Sequence, residues 1–235
     1  MNLQRYLDYI GTPWGRLFYR LVWKDLAFSG KRVLDFGCVF GVTASHLAAE
    51  NEVVALDPNS EMLLRGVREH PYVQICGGVE ALSQFGDESF DVILCHNVLE
   101  YAAEREAVLG AFARLLKAGG VLSVVKHNPA GKVFHKAVFE GNTEEALSLL
   151  QGGAAVSVNF GDVKEYSDRD LAEWCGDRFE VEKTVGIRTF YGLQKNEWKF
   201  EEGWEDRLFA LESAAGEISP YRDAAFFHHV VLRKK

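Results

Sequence analysis

The segment VLDFGCVFG, residues 33–41, constrains the fold of this chain more than any other. Apolar residues lead up to the acid Asp35, and a turn that contains Gly37 and Gly41 follows. The next residues, 42–49, are typical of a helix. A buried strand, a tight turn and a helix in this order predict the first unit of a nucleotide-binding βαβ fold.

A second apolar run, residues 53–57, ends at the acid Asp57. Asp57 lies 20 positions after Gly37, which is the distance at which a βαβ unit places a carboxylate beside a bound ribose. We therefore expect the Asp57 carboxylate to accept two hydrogen bonds from ribose hydroxyl groups. The alternative is an acid at a strand end that caps the next helix.

The spacing of the glycines separates two classes of cofactor. The dinucleotide pattern G-x-G-x-x-G, started at Gly37, requires glycine where the chain has Val39 and Val42, so close approach of the backbone to a pyrophosphate is blocked. The pattern acid-x-Gly-x-Gly-x-Gly, found in proteins that bind S-adenosylmethionine, fits Asp35, Gly37 and Gly41 and departs at Val39. This pattern predicts an S-adenosylmethionine site.

Strands and helices alternate five times in the first 130 residues. This alternation predicts an α/β fold with a parallel, doubly wound sheet. Ligands of such sheets bind beyond the carboxyl ends of the strands. The polar candidates at those ends are Asp35, Asp57, Glu80, His96 and residues 126–128.

The length of 235 residues favours one α/β domain over residues 1–235. We expect residues 1–30 to form a helical cover, residues 31–130 to bind the cofactor, and residues 131–235 to form the acceptor side. Ser60 is expected to cap a helix over residues 61–69. One helix is expected over 104–117, with a glycine stop at Gly119 and Gly120, and another over 133–151.

The net charge of −8 argues against a broadly electrostatic nucleic-acid binder, although a local basic patch is compatible with it. No run of 18 apolar residues indicates a membrane span. The four cysteines include no C-x-x-C pair, which favours a reduced, cytoplasmic protein. The seven histidines do not pair with cysteines or acids at metal-ligand spacing, so no metal site is expected.

The chain resembles the class I S-adenosylmethionine-dependent methyltransferases. The resemblance rests on residues 33–41, Asp57, residues 90–101 (FDVILCHNVLEY) and residues 116–122 (LKAGGVL). It implies a Rossmann-like sheet with helices on both faces, an antiparallel C-terminal strand and S-adenosylmethionine as the cofactor.

The same resemblance implies roles for single residues. Asp35 would lie near the ammonium group of the donor, and the glycine-bearing turn would contribute backbone groups. Adenine would lie between Val79 and Glu80, although Glu80 also fits a solvated charge at a helix start. The cofactor-binding residues expected in this way are Asp35, Gly37, Cys38, Gly41, Asp57, Val79, Glu80 and His96.

Short matches along the whole chain narrow the resemblance to the bacterial tRNA enzymes that methylate the carboxylate of carboxymethoxyuridine at the wobble position. They comprise residues 11–12, 15, 23–26, 186–191, 208–212, 220–221 and 229–230. Three positions depart from that subgroup. Val39 stands in place of a glycine, and Phe18 and Phe226 stand in place of arginines, with Arg16, Arg20 and Arg222 as neighbours.

Methyl transfer to a carboxylate needs no general base, because the attacking oxygen is already anionic near pH 7. The site needs a cation that holds the acceptor. Arg188 is the best candidate, since its planar guanidinium can bind both carboxylate oxygens. Lys126, His127 and Arg222 are the alternatives, and a surface arginine on a strand is an equally good interpretation of Arg188.

Three functions remain open at this point. The first is methylation of a modified wobble uridine in tRNA, and the second is methylation of a small metabolite, which the negative net charge favours. If that acceptor were a hydroxyl or an amine, His96 or His127 would serve as the base. The third is a cofactor-binding regulator without transferase activity, which Val39 favours because its side chain would crowd the donor. The sequence leaves the oligomeric state open.

Overall fold

The computed structural model describes residues 3–152, 156–157, 161–162 and 164–235. The chain divides into two compact units. The sheet unit comprises Ala27–Val125, Asp168–Lys183 and Val230–Lys235. The helical unit comprises Met1–Leu26, Lys126–Ser167 and Thr184–His229.

Within the described ranges, the strands are β1 (Arg32–Phe36), β2 (Glu52–Asp57), β3 (Val73–Cys76), β4 (Phe90–His96), β5 (Leu116–His127), β6 (Val156–Ser157), β7 (Gly161–Asp162), β8 (Phe179–Ile187) and β9 (Phe227–Lys234). The α-helices are α1 (Leu3–Ile10), α2 (Pro13–Lys24), α3 (Val42–Leu47), α4 (Ser60–Leu64), α5 (Arg105–Leu115), α6 (Pro129–Phe134), α7 (Thr143–Leu150), α8 (Asp168–Cys175), α9 (Trp204–Ala215) and α10 (Tyr221–Ala224). Short 3₁₀ helices span Val79–Gln84, Leu99–Tyr101, Gly176–Arg178, Tyr191–Leu193 and Asn196–Phe200, and a π-helical turn spans His135–Phe139.

Seven strands form one sheet in the order β3-β2-β1-β4-β5-β9-β8, and β6 and β7 pair separately. β1 to β5 pair in parallel. β9 is antiparallel to β5, because Lys234 bonds to the carbonyl of Leu116 while the carbonyl of Phe226 accepts the N–H of Asn128. The sequence prediction of an α/β, Rossmann-like fold with an antiparallel C-terminal strand is confirmed.

The parallel strands of the sheet unit are buried because helices surround the sheet. Val33 and Leu34 of β1 and Ile93 of β4 are fully buried. Both acids predicted for the cofactor site stand on these strands, Asp35 within β1 and Asp57 as the last residue of β2. The alignment of β1 with β2, which pairs Asp35 with Ala55, brings the two carboxyl ends to the same edge.

The boundaries of three predicted helices are wrong. Asn59 rather than Ser60 caps α4, because its side chain accepts the N–H of Met62, and α4 ends at Leu64. No glycine ends α5: the helix gives way directly to β5, since the buried Leu116 pairs with Phe90. The single helix expected over 133–151 is divided at Gly141, whose φ of 66° is left-handed, and α7 starts again from the capping side chain of Asn142.

In the helical unit, the N-terminus of α2 is capped by a side chain. The Thr12 side chain accepts the N–H of Gly15, and Pro13 is the first residue of the helix. A Cβ atom on Gly15 would lie 2.1 Å from the carbonyl oxygen of Tyr9, so α1 and α2 meet at a position that requires glycine. No helix in the described ranges is both long enough and apolar enough to cross a bilayer.

Candidate functional site

The turn between β1 and α3 is built on left-handed backbone. Gly37 has a φ of 78° and Gly41 a φ of 63°. A Cβ atom on Gly37 would lie 2.3 Å from a methyl group of Val98, and one on Gly41 would lie 2.0 Å from the hydroxyl oxygen of Tyr72. Both glycines are therefore required by conformation and by space.

Val39 also adopts left-handed backbone, with a φ of 52°. This conformation is unfavourable for a β-branched residue. It is stabilised by a hydrogen bond of 2.8 Å from the N–H of Val39 to Oδ2 of Asp57. Val39 therefore replaces a glycine of the pattern but keeps the backbone conformation that glycine adopts readily.

Asp57 is only 5% exposed and accepts a second backbone hydrogen bond, 2.8 Å from the N–H of Asn59 to Oδ1. Burial raises the pKa of Asp57, and the two N–H groups oppose that change. Each carboxylate oxygen has two acceptor positions, so both oxygens keep one for a further donor such as a ribose hydroxyl. The role of Asp57 as ribose ligand stays a prediction.

Asp35 is a buried carboxylate with an uncompensated charge. It is 4% exposed, and burial together with the charge of Asp57 raises the pKa of Asp35 to about 7. The N–H of Ala44 is the group that opposes this rise. Among the described residues no basic side chain forms an ion pair with Asp35. A ligand that carries an ammonium group, as S-adenosylmethionine does, would stabilise the ionised form, so the residues present fit this cofactor.

Gly37 and Cys38 have already used their backbone N–H groups. Both bond to the carbonyl oxygen of Leu56, at 2.7 Å and 3.2 Å. Burial raises the pKa of the Cys38 thiol far above its usual range, so this sulfur is no nucleophile near pH 7. Gly37 can offer a ligand its carbonyl oxygen, whereas the carbonyl oxygen of Cys38 already accepts the N–H of Gly41 at 2.7 Å.

Val79 and Glu80 open the short 3₁₀ helix after β3. Val79 is 43% exposed, and an apolar side chain of this kind can pack against the face of a flat ring. The Glu80 carboxylate accepts the N–H of Gly78 at 2.7 Å, and this bond lowers the pKa of Glu80. Glu80 therefore closes its own loop, and its contact with adenine stays a prediction.

The end of β4 carries His96 and a residue that sequence reasoning missed, Asn97. Nε2 of His96 lies 2.9 Å from the hydroxyl of Ser123. Asn97 has a φ of 55°, and its buried Oδ1 atom has no hydrogen-bond partner within the described part of the chain. An unpaired buried acceptor needs a donor. Its place directly after His96 is the signal that could have identified Asn97.

In the helical unit, Arg188 follows β8 with a left-handed φ of 65°. Its guanidinium carbon lies 4.3 Å from the ring centroid of Phe226 and 5.7 Å from that of Tyr191. Its Nε atom is buried without a hydrogen-bond partner, and no ion pair involves Arg188 within the described ranges. Phe226 stands at a position where the similar tRNA methyltransferases have an arginine. In this chain the Phe226 ring packs against the guanidinium of Arg188.

The loop that carries Arg188 is held by Glu212 of α9, a second residue that the sequence did not reveal. The Glu212 carboxylate is 1% exposed and accepts the N–H groups of residues 189, 190 and 191 at 2.8–2.9 Å. The aliphatic part of the Arg188 side chain packs over Gly192. A Cβ atom on Gly192 would lie 2.7 Å from Cγ of Arg188. Both oxygens of Glu212 therefore accept backbone N–H groups, and neither forms a hydrogen bond with the guanidinium of Arg188.

Lys126 and His127 are the other predicted acceptor residues, and both lie beside aromatic rings. Lys126 is 1% exposed, with Nζ 5.0 Å from the Tyr166 ring centroid. His127 is half-buried between aromatic rings, 4.8 Å from Phe227 and 5.7 Å from Phe226.

The arginines offered as neighbours of the two departures are engaged elsewhere. Arg16 and Arg20 both form ion pairs with Glu205 of α9, at 3.0 Å and 2.8 Å. Arg222 forms an ion pair with Asp223 at 2.8 Å. Among these cations Arg188 alone keeps an unpaired buried donor, which makes it the best placed to hold an anion. No metal-binding cluster occurs in the ranges that the structure describes.

Comparisons with known proteins show which proteins this chain is similar to. The family model described as a methyltransferase domain matches residues 34–124. The tRNA 5-carboxymethoxyuridine methyltransferase of Escherichia coli strain K12 is 28% identical over 95% of this chain and 90% of its own length. The ubiquinone biosynthesis O-methyltransferase of Dechloromonas aromatica strain RCB is 32% identical over 72% of this chain and 73% of its own length.

The fold also agrees with solved structures. A SAM-dependent methyltransferase from Thermotoga maritima superposes with a TM-score of 0.65 at 19% identity, and the match covers 99% of this chain and 96% of the other.

Proposed function

Because the chain belongs to the S-adenosylmethionine-dependent methyltransferases, we propose that it methylates the carboxylate of a modified wobble uridine in tRNA. The reaction class and the cofactor, S-adenosylmethionine, follow from the family. The tRNA acceptor is the proposed part. It is supported by the similarity to the Escherichia coli enzyme, which extends over 95% of this chain. The proposed location is the cytoplasm.

The sheet unit would hold the donor. When bound, S-adenosylmethionine supplies a methyl group on a positively charged sulfur. The Asp35 carboxylate would bind the ammonium group, and Asp57 would accept hydrogen bonds from the ribose hydroxyls. The unpaired Oδ1 of Asn97 would accept a further N–H or O–H from the donor. The remainder of the donor site would be lined by Val79, Glu80 and His96.

The helical unit would hold the acceptor through Arg188, and the unpaired Nε of this residue is the observation that carries the proposal. A carboxylate is ionised at neutral pH, so the chain does not have to remove a proton from it. The chain must bind and orient it instead. The guanidinium of Arg188 supplies a fork of N–H donors that matches a carboxylate in charge and shape.

The second candidate function is O-methylation of a small metabolite. The net charge of −8 favours it over a tRNA acceptor, and so does the 32% identity to the Dechloromonas enzyme. A hydroxyl acceptor must lose its proton, for which the half-buried His127 or His96 would be the base.

The deciding experiment supplies labelled S-adenosylmethionine to the protein with bulk tRNA or with low-mass metabolites, both from cells that lack this gene. We expect label in tRNA, and after nuclease digestion in a wobble uridine as an alkali-labile ester. Label in the low-mass fraction alone would overturn the tRNA proposal and leave the reaction class unchanged.

The role of Arg188 is tested with Arg188→Gln. We expect donor affinity to be unchanged and the KM for the acceptor to rise at least about tenfold, because charge-assisted hydrogen bonds are lost. Arg207→Gln is the matched control, since Arg207 lies exposed on α9 and pairs with Glu201. Equal losses of donor and acceptor binding in Arg188→Gln would exclude Arg188 as an acceptor residue.

A further inference from the structure

Lys199 is a buried cation that the donor and acceptor roles described so far leave without a purpose. It lies in the 3₁₀ helix Asn196–Phe200 and is 4% exposed. Its ammonium donates one hydrogen bond, 3.1 Å to Oδ1 of Asn196, and forms no ion pair among the described residues. Lysine is rarely buried to this extent without an acid beside it.

Aromatic rings surround the Lys199 ammonium. Nζ lies 5.4 Å from the ring centroids of Trp14 and Phe139 and 5.9 Å from that of Tyr191. Ring faces attract a cation but supply no hydrogen-bond acceptor and no neutralising charge. At least one N–H of the ammonium is therefore left for another partner.

Arg188 lies on the same cluster of rings. Tyr191 is the shared wall, since its ring centroid is 5.7 Å from the Arg188 guanidinium and 5.9 Å from the Lys199 ammonium. The hydroxyl of Tyr191 is itself buried without a hydrogen-bond partner in the described ranges. Arg188 and Lys199 thus both lie against the ring of Tyr191, and each of the three side chains has an N–H or O–H group that no described residue accepts.

The surrounding groups neutralise this positive charge only in part. The charge of Arg188 opposes the rise that burial causes in the pKa of Glu212, but the Glu212 oxygens are bonded to backbone N–H groups and to neither cation. Burial and the charge of Arg188 lower the pKa of His135 to about 4, so this ring is neutral at pH 7. The same two causes lower the pKa of Lys199 to about 8. An anion would satisfy the donors and relieve the repulsion between the two cations.

We propose that Lys199 and Arg188 together bind one carboxylate group whose planar ring packs against Trp14, Phe139, Tyr191 and Phe226. Lys199 is then a second acceptor-binding residue, and the preferred substrates are acids carried on a flat ring. The site reaches the surface, because Phe139 is 36% exposed and Arg188 is half-buried. This inference rests on the proposed function in that it assigns the acceptor to the Arg188 loop.

The test measures binding of phenoxyacetate, a flat ring with an oxyacetate carboxylate, by titration calorimetry of the full chain. Phenoxyacetamide is the neutral comparison. We expect the wild-type chain to prefer the acid by about tenfold or more, as charge-assisted hydrogen bonds imply. Lys199→Met should remove that preference, and Lys195→Met, an exposed neighbour in sequence, should keep it.

Two further measurements separate a binding role from a structural one. Lys199→Arg keeps the charge and should keep the preference for the acid. Lys199→Met should melt at an equal or higher temperature than the wild type, because an unpaired buried charge has been removed. A preference for the acid that survives in Lys199→Met, or no binding of phenoxyacetate by the wild type, would overturn the proposal.

The outcomes also distinguish this inference from the tRNA assignment. Lys199-dependent binding of phenoxyacetate without methylation of tRNA would keep the site and reject tRNA as its ligand, in favour of a free aromatic acid. Methylation of tRNA at an unchanged KM in Lys199→Met would keep the tRNA assignment and reject Lys199 as an acceptor residue.

Discussion

Oδ2 of Asp57 accepts the backbone N–H of Val39 at 2.8 Å, across the turn that follows β1. The acid expected to bind ribose therefore also holds the left-handed backbone of the residue that replaces a glycine. Donor binding and the stability of this turn depend on the same carboxylate, so substitutions at the two positions have linked effects.

Val39→Gly is expected to leave the free energy of unfolding unchanged or to raise it by up to about 1 kcal/mol. The substitution removes about 1–2 kcal/mol of left-handed strain and adds a smaller cost from the greater freedom of glycine in the unfolded chain. Chemical denaturation with and without S-adenosylmethionine measures both stability and donor affinity.

Val42→Gly is the matched control for that comparison. Val42 is the first residue of α3, is half-buried like Val39, and has no positive φ. We expect it to lose roughly 1 kcal/mol or more of stability, because glycine is unfavourable in a helix and buried apolar area is lost. Equal losses at positions 39 and 42 would mean that Val39 is not strained.

Asp57→Asn is expected to weaken donor binding by about 10- to 100-fold, because one acceptor oxygen is replaced by an amide N–H₂. The same change leaves either the Val39 or the Asn59 N–H without an acceptor, so the unfolding free energy should fall by about 1–3 kcal/mol. Calorimetric titration and thermal unfolding give the two values. Asp87→Asn is the control, because Asp87 is exposed and pairs with Arg114. If Asp57→Asn binds the donor with wild-type affinity, Asp57 does not bind the ribose.

Donor affinity is expected to increase as the pH rises from 5.5 to 7. The pKa of Asp35 is raised to about 7 in the folded protein, so below pH 7 the carboxyl group must lose a proton before it can bind an ammonium group. The α-amino group of the donor stays protonated through this range. Asp35→Asn should bind the donor weakly, and its donor affinity should no longer increase with pH in this range. If the pH profile of Asp35→Asn is the same as that of the wild type, the ammonium group of the donor binds elsewhere.

The same shift makes an opposite prediction for the free protein. A carboxyl group whose pKa is higher in the folded state binds more protons when folded, so stability falls as the pH rises from about 4 to 7. The full difference is about 4 kcal/mol at most. Asp35→Asn should therefore be more stable than the wild type at pH 8 and similar to it at pH 4, as denaturation at the two pH values would reveal.

Glu212→Gln is expected to reduce acceptor binding while donor binding stays unchanged. The amide has one acceptor oxygen for the three N–H groups of residues 189–191, so the loop loses its anchor and about 1–3 kcal/mol of stability. The KM for the acceptor should rise, whereas the KM for the donor should stay constant. Glu202→Gln, an exposed substitution, is the control, and an unaffected acceptor KM in Glu212→Gln would show that the loop keeps Arg188 in place without this carboxylate.

The sequence indicated the sheet and the donor acids because their signals are local. The strand that contains Asp35 and the one that ends at Asp57 read as apolar runs, and the chain distance between Gly37 and Asp57 is characteristic of one βαβ unit. Val39 was recognised as a departure, but that its backbone would still be left-handed required the structure. The long helix expected over 133–151 failed because Gly141 and Asn142 end and restart it, a stop signal that the helical pattern around them concealed.

The fold class, the cofactor and the two acids, Asp35 within β1 and Asp57 at the end of β2, could be predicted from the sequence, since hydrophobic periodicity and glycine spacing act between neighbours in the chain. Which cations are available to an anion could be seen only in the folded chain. Arg16, Arg20 and Arg222 form ion pairs with acids, whereas Arg188 and Lys199 both lie against the Tyr191 ring and form no ion pair with any residue that the structure describes. Charge pairing and burial depend on contacts between residues far apart in the chain, and composition and spacing do not encode which of those contacts form.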